Sequence, residues 1–465
     1  MIWSTYNKIT NIILKLQYKI CSSNSETLFA FQRDRNSHFG RVAMKRYAVV
    51  GLGYVGLGLA AELAKHCPVI GHDIDKHRIN GLKKYQDRNK LIPAEALKNP
   101  QLTFTDNLMD IKIANFFIVS VATPAIFYEF PDLEPLVNAA KDLAKVIKKG
   151  DIIVFESTVY PGTTEEVCIP VLEKESGLKN GKDFHIGYSP ERINPGDTKH
   201  TLKNITKIIS AQDQKTLQTV QETYKFICDK VHRVSCIAAA EAAKLLENTQ
   251  RDVNIALMNE FSKIMHALNL NTHEVLQAAK TKWGFIPYKP GFVGGHCISI
   301  DPHYLVFQAK RHGLYPELLV TTRKVNDGMS QFVVQSLMEL LCKNHINTQN
   351  LCVGVFGITY KENVVDVRNS LALKMVKELK MLGFTCQLHD PLLEESDHEA
   401  HLEIIPLEKL KHLQVAIIVS GHTWYKERGL SAILKNCVTR PIVMDIPNLF
   451  IENHHEHSNI IYWHL

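Results

Sequence analysis

The sequence predicts an α/β protein built as two Rossmann-like parallel-sheet domains joined by a long central helix. Three observations carry that prediction. Short apolar runs alternate with helical stretches at both ends of the chain, the pattern of βαβ units. A segment from about Ala238 to about Leu268 holds neither Gly nor Pro and outruns an average globular helix. The length, 465 residues, exceeds one ordinary core, and a length prior suggests roughly three domains.

Each element follows from local chemistry. Tyr47–Gly51 (YAVVG) is a short apolar run closed by glycine, as a buried parallel strand requires. A helix over Leu57–His66 comes next, then a strand over Pro68–Asp73. Phe116–Val121, Ile152–Phe155 and Ile205–Ser210 continue the alternation. After the long helix, a Gly/Pro-rich loop covers Gly284–Gly295. The alternation resumes at Leu351–Phe356, Thr385–Asp390, Val415–Ser420 and Ile442–Ile446, so the two ends are expected to share one architecture.

Composition excludes some classes. Hydrophobic content of 45% and charged content of 22% are those of a globular protein. The net charge of +6 is mild and its Lys and Arg are dispersed, which suits a small anionic substrate and argues against nucleic acid. Ten cysteines without a CxxC pair read as reduced thiols of a cytoplasmic protein, one of them reactive. Residues 1–43 differ from the rest. Lys8, Lys15 and Lys19 interrupt their apolar stretch, so it reads as an extension of unknown role, with an amphipathic membrane-surface helix as the minority reading and no membrane partner expected.

Gly51-Leu52-Gly53-Tyr54-Val55-Gly56 is GxGxxG set directly after a strand and before a helix. Such a turn lets backbone and a helix N-terminus approach a pyrophosphate. Asp73 ends the next strand, at about the 20-residue offset of the acid that bonds the adenosine ribose. A carboxylate there repels a 2′-phosphate and favours NAD; Arg78 nearby could receive one.

The segment Pro290–Pro302 (PGFVGGHCISIDP) is the most unusual. Gly294 and Gly295 leave room beside Cys297 for a substrate, and backbone donors there can lower a thiol pKa. A nucleophilic Cys297 suits aldehyde oxidation: the thiolate adds to the carbonyl and a thioester remains for hydrolysis. Asp301 could position the hydrolytic water, and His296 is assigned no role. On the long helix Lys244, Asn248 and Arg251 share one face at i, i+4 and i+7. Lys244 and Asn248 could stabilise a forming oxyanion, although from spacing alone an ordinary solvated face is the better reading.

At these residues the chain resembles the UDP-glucose/GDP-mannose dehydrogenase family from Met44 to Leu465. The markers run in family order: GLGYVG, Ser157-Thr158-Val159, Pro190-Glu191-Arg192, the Lys244/Asn248 helix, GGHC at 294–297, and Tyr360-Lys361-Glu362-Asn363 with Asp366 and Arg368. The resemblance implies an NAD domain (44–235), a central helical dimerisation region with the cysteine loop (236–335) and a UDP-sugar domain (336–465). It implies Cys297 as nucleophile, Lys244 and Asn248 as oxyanion contacts, Asp301 and Thr158 as holders of the hydrolytic water, and Glu191 as a catalytic glutamate. Thr123 would line the NAD site, with Lys361 and Arg251 toward the substrate. The implied reaction is two oxidations with two NAD, then thioester hydrolysis, in a homodimer.

Glu191–Asp197 (ERINPGD), Glu247-Asn248, Arg251–Ala256, Lys282-Trp283 and GGHCISIDPHYL resemble the UDP-N-acetylhexosamine 6-dehydrogenases that supply surface polysaccharides. Ile300 stands where UDP-glucose enzymes usually have lysine, and Pro195 where they have a second glutamate. Val365, the Asp445–Asn448 segment and His464 also depart from the family pattern, which bears on nucleotide binding rather than on the chemistry. The competing readings are a UDP-glucose 6-dehydrogenase, a two-electron hydroxyacid dehydrogenase, which needs no cysteine, and a catalytically silent NAD-binding protein.

Overall fold

The structure is a computed structural model describing residues 45–89, 92–126, 130–193, 199–393, 396–397 and 402–465. The readings of residues 1–43, Met44 and Asn194–Asp197 lie outside the described residues. Arg46–Leu465 forms a unit of its own.

Eight strands form the first sheet: β1 (Tyr47–Val50), β2 (Val69–His72), β3 (Leu102–Thr105), β4 (Phe116–Val119), β5 (Asp151–Phe155), β6 (Phe184–Tyr188), β7 (Thr206–Ala211) and β8 (Lys230–Arg233). Their order is 8-7-6-5-4-1-2-3. Strands 3-2-1-4-5-6 are parallel, the dinucleotide-binding order, and β7 runs antiparallel to β6. The inner strands β1 and β4 are apolar throughout because both faces are covered. Tyr47 and Val49 of β1 enter one core with helix α1 (Gly56–Leu63), while Ala48 and Val50 enter another with α2 (Glu134–Ala144).

The second sheet has five parallel strands: β9 (Cys352–Phe356), β10 (Thr385–His389), β11 (Leu413–Ile418), β12 (Cys437–Asp445) and β13 (Ile461–His464), in the order 10-9-11-12-13. The expected kinship of the two ends extends to single hydrogen bonds. Gly51 N–H donates to His72 O (2.9 Å) and Leu52 N–H to an Asp73 carboxylate oxygen (2.8 Å). In the second sheet Gly357 N–H donates to His389 O (2.9 Å) and Ile358 N–H to Asp390 (2.7 Å). Both glycines have positive φ, and a Cβ on either would sit 2.6 Å from a carbonyl oxygen, that of Ser120 or of Ser420. Each sheet thus presents a crevice where its strand order reverses, the place where open α/β sheets bind ligands.

Helix α3 (Ile237–Ala267) lies between the sheets in sequence. One face buries Glu241, Lys244, Leu245, Asn248, Asp252 and Asn259 against helices α4 (Asp301–Arg311) and α5 (Glu317–Asp327). Arg323 of α5 donates to Asp252 (2.6 Å), and Asn326 bonds both Asp252 (2.7 Å) and Asn259 (2.8 Å). Removing one partner of such a buried pair costs about 3–5 kcal/mol, so this polar seam sets the register of α3 on α5. Among the described residues no helix is long and apolar enough to cross a membrane.

Candidate active site

The glycine turn fits a dinucleotide. A Cβ on Gly56 would meet Gly51 O at 1.9 Å, so α1 starts hard against the turn, whereas Gly53 is exposed with open space above it. Tyr54 and Val55 complete the turn, half-buried. Asp73 accepts from Leu52 N–H and from Asp75 N–H (2.9 Å), which fixes its carboxylate beside the turn. Arg78 corrects an expectation. It is buried, donates to Leu52 O (2.9 Å) and pairs with Asp87 (2.6 Å), so its charge braces the turn from within and is not presented to a 2′-phosphate. Thr123 donates to Thr158 O (2.6 Å), while Tyr304 of α4 donates to Thr123 O, joining the loops after β4 and β5 to the cysteine helix.

Cys297 lies in the turn that opens α4, its carbonyl accepting from Asp301 N–H (2.8 Å), with its thiol half-buried. Asn248 donates to the Asp301 carboxylate (2.5 Å), and the Lys244 charge faces both Asp301 and Glu191. Burial pushes the Asp301 carboxyl up to about 6, against the pull of Lys244, Asn248 and His296. A carboxylate poised there suits a general base working near neutrality. Arg251, expected on the same face, is exposed and takes no part in this buried cluster.

Three residues without an assigned role hold Glu191 in place. Lys207 of β7 is fully buried and bonds Glu156 (2.6 Å) and Glu191 (3.2 Å), and Tyr224 donates to Glu156. The other Glu191 oxygen accepts from the Arg192 (2.6 Å) and Ile193 (2.5 Å) backbone. Burial alone would raise the Glu191 carboxyl, but Lys207, the Ile193 amide and Lys244 outweigh it and hold it below the ordinary range. Glu191 is therefore a fixed negative charge facing Lys244. The signal was a lysine inside the apolar strand TKIISA, a residue type almost never buried unpaired.

The second crevice opens to a cavity of about 310 Å³ lined by Lys289–Phe292, Thr359–Glu362, Ser420-Gly421 and Ile446-Pro447. Lys361 belongs to its lining. Gly294 also touches this cavity, but the glycine pair serves the protein's own packing. A Cβ on Gly294 would lie 2.6 Å from Asn369 O, and one on Gly295, at φ +88°, 2.5 Å from the Tyr360 ring. The room expected for substrate beside Gly295 is filled by Tyr360. The cysteine loop and the KEN loop are thus fitted to each other.

Family models match three consecutive stretches. They are the NAD binding domain at residues 45–228, the central domain at 238–328 and the UDP binding domain at 354–452 of the UDP-glucose/GDP-mannose dehydrogenases. The chain belongs to this family. The UDP-glucose/GDP-mannose dehydrogenases use NAD, and this member is an NAD-dependent oxidoreductase. It is 44% identical to protein CapL of Staphylococcus aureus, over 87% of this chain and 96% of that one. It is 43% identical to the UDP-N-acetyl-D-glucosamine 6-dehydrogenase of Salmonella typhi, over 83% and 91%. Among solved structures of the family, the UDP-D-ManNAc dehydrogenase of Pyrococcus horikoshii superposes with a TM-score of 0.82 at 31% identity, covering 90% of this chain and 98% of that one.

Proposed function

We propose that the protein oxidises the 6-hydroxyl of a UDP-N-acetylhexosamine to the carboxylate in two NAD-dependent steps, through a thioester on Cys297, and that the uronic acid feeds a surface polysaccharide. The observation that carries this reading is the buried Lys244–Asn248–Asp301 cluster one helical turn from Cys297. Relatives named UDP-N-acetyl-D-glucosamine 6-dehydrogenase in Salmonella typhi and Pseudomonas aeruginosa support the acetylated sugar. The uridine nucleotide would lie in the cavity of the second sheet with Lys361 on its phosphates or sugar.

The chemistry supplied by NAD, when held by the Gly51–Gly56 turn, Asp73 and the Thr123 loop, is hydride acceptance. The chain's own residues do the rest. Lys244 and Asn248 stabilise negative charge on the C6 oxygen, with Lys244 facing the fixed charge of Glu191. The Cys297 thiolate adds to the C6 aldehyde, and a thioester follows the second oxidation. Asp301, aligned by Asn248, takes a proton from the water that attacks this thioester, with Thr158 holding the water from the opposite loop. The exposed Leu246, Leu257 and Ile264 form one stripe on α3, which supports a homodimer packed along that helix. A cytoplasmic setting suits ten cysteines read as reduced thiols.

The test is NADH yield per sugar with UDP-N-acetylglucosamine, UDP-N-acetylgalactosamine and UDP-glucose. The expected result is two NADH per acetylated sugar, with Cys297→Ala losing turnover while still binding NAD. Two NADH from UDP-glucose alone would move the assignment to that substrate, and full turnover by Cys297→Ala would end the covalent route.

A further inference from the structure

Three turns that follow neighbouring strands of the second sheet meet at its cavity. They carry Thr359 after β9, Asp390 after β10 and His422 after β11, and all three residues are buried. Asn363 N–H donates to His422 Nδ1 (2.8 Å), so that nitrogen is the acceptor and the ring hydrogen sits on Nε2. Nε2 lies 3.2 Å from Asp390 Oδ2 and 3.1 Å from Thr359 Oγ1. The Thr359 hydroxyl donates in turn to Lys361 O (3.1 Å). The Asn363 side chain ties the same loop to Thr423, accepting from its N–H and donating to its hydroxyl, both at 3.0 Å. Residues 359–363 are thus held at each end, with Asn363 in the left-handed region at φ +58°, and Lys361 and Glu362 between them line the cavity.

The matching acid of the first sheet is used differently. Asp73 is half-buried beside the glycine turn. Asp390 is 2% exposed, and its carboxylate accepts from the Ile358 (2.7 Å), Thr359 (3.0 Å) and Leu392 (2.9 Å) amides as well as facing His422. Its oxygens are therefore spent within the protein. We infer that His422, oriented by Asp390, is a positioning residue for substrate binding: it latches the 359–363 loop so that Lys361 meets the uridine nucleotide. The neutral imidazole with its hydrogen on Nε2 is the form that accepts from Asn363 while donating to Asp390 or Thr359. His422 touches no reacting atom, and its effect passes through the Asn363 amide and, by way of Thr359, through the Lys361 carbonyl. The inference rests on the reading above that this cavity takes the uridine nucleotide with Lys361 against it.

The experiment is calorimetric titration of the full chain with UDP and, separately, with NAD, alongside initial-rate kinetics on the UDP-sugar. His422→Asn keeps an acceptor near the Nδ1 position, whereas His422→Gln puts its amide near Nε2 and leaves the Asn363 amide without one. His422→Gln should weaken UDP about tenfold, the worth of one buried hydrogen bond, and raise KM for the sugar alike. Its kcat and its affinity for NAD should stay native, and His422→Asn should recover most of the UDP affinity. Thr423→Val, at an exposed position that does not endanger folding, should weaken UDP in the same sense by a smaller factor. A native UDP affinity in His422→Gln, or an equal loss of UDP and NAD binding, would overturn the inference. If His422→Gln does not fold, a native UDP affinity in Thr423→Val overturns it instead. Lys361→Ala separates the two readings: native UDP binding there would end the assignment of the cavity itself. Weakened binding in Lys361→Ala beside native binding in His422→Gln would end the latch alone.

Discussion

At the scale of single residues the site is a set of charges of alternating sign. Lys207, Glu191, Lys244 and Asp301 follow one another through the interior, the two lysines drawing the Glu191 carboxyl down and Lys244 opposing the rise of Asp301. Asp301 differs from Glu191 in what burial does to it. Glu191 is bonded by a lysine and two backbone amides and stays ionised, whereas Asp301 has one amide donor and rises to about 6. A base must be deprotonated to act, so the hydrolytic step should be flat above that value and fall about tenfold per unit as pH drops through it. Asp301→Asn should slow hydrolysis by about 10²–10⁴-fold and let the thioester accumulate. Intact mass of the quenched enzyme would show a sugar adduct on the Cys297 peptide, and a native hydrolysis rate would remove Asp301 from the step.

At the scale of elements, helix α3 divides its labour around its circumference. Its buried face carries Lys244, Asn248 and the Asp252 seam to α5, whereas Leu246, Leu257 and Ile264 remain exposed on another. An apolar stripe of that length on a helix calls for a second surface, and a second copy is self-complementary. Leu257→Asp should convert the proposed dimer to monomer in light scattering after size exclusion, while Met381→Asp, on helix α6 (Leu371–Met381), should leave the mass unchanged. A dimer that survives Leu257→Asp would place the interface elsewhere. The turn into α4 is the other element under constraint. The αL conformation and the approach of Tyr360 both require glycine at 295, so the GGHC spacing reports on packing as well as on chemistry.

Across the whole molecule two sheets with matched hydrogen bonds at their crevices present two ligand places. If NAD and the uridine nucleotide are divided between them, ligand stabilisation must divide as well. Either ligand at 100 times its Kd should raise stability by about 2.7 kcal/mol. In thermal melts, Asp73→Ala should lose the shift given by NAD and keep the one given by UDP. Lys361→Ala should do the reverse, and loss of both shifts in either variant would refute the division.

Much of this could be read without tertiary structure. The alternation of apolar runs determined both parallel sheets, because a strand covered on two faces must be apolar along its length, and the observed α3 differs from the expected helix by about one residue at each end. The edge strands β3, β8 and β13 and the mixed strand β6 carried too little apolar signal to be found that way. Lys244, Asn248, Cys297 and Asp301 were legible as a group through the family resemblance, because helical spacing alone does not tell a site from a solvated face. What only the folded chain decided is which charges meet. Arg78 turned inward to Asp87, Arg251 was left outside, and Lys207 met Glu191 from a strand 16 residues on. His296 found its carboxylate 70 residues away. Electrostatic partnership acts through space over a few ångströms, and sequence separation carries no record of it.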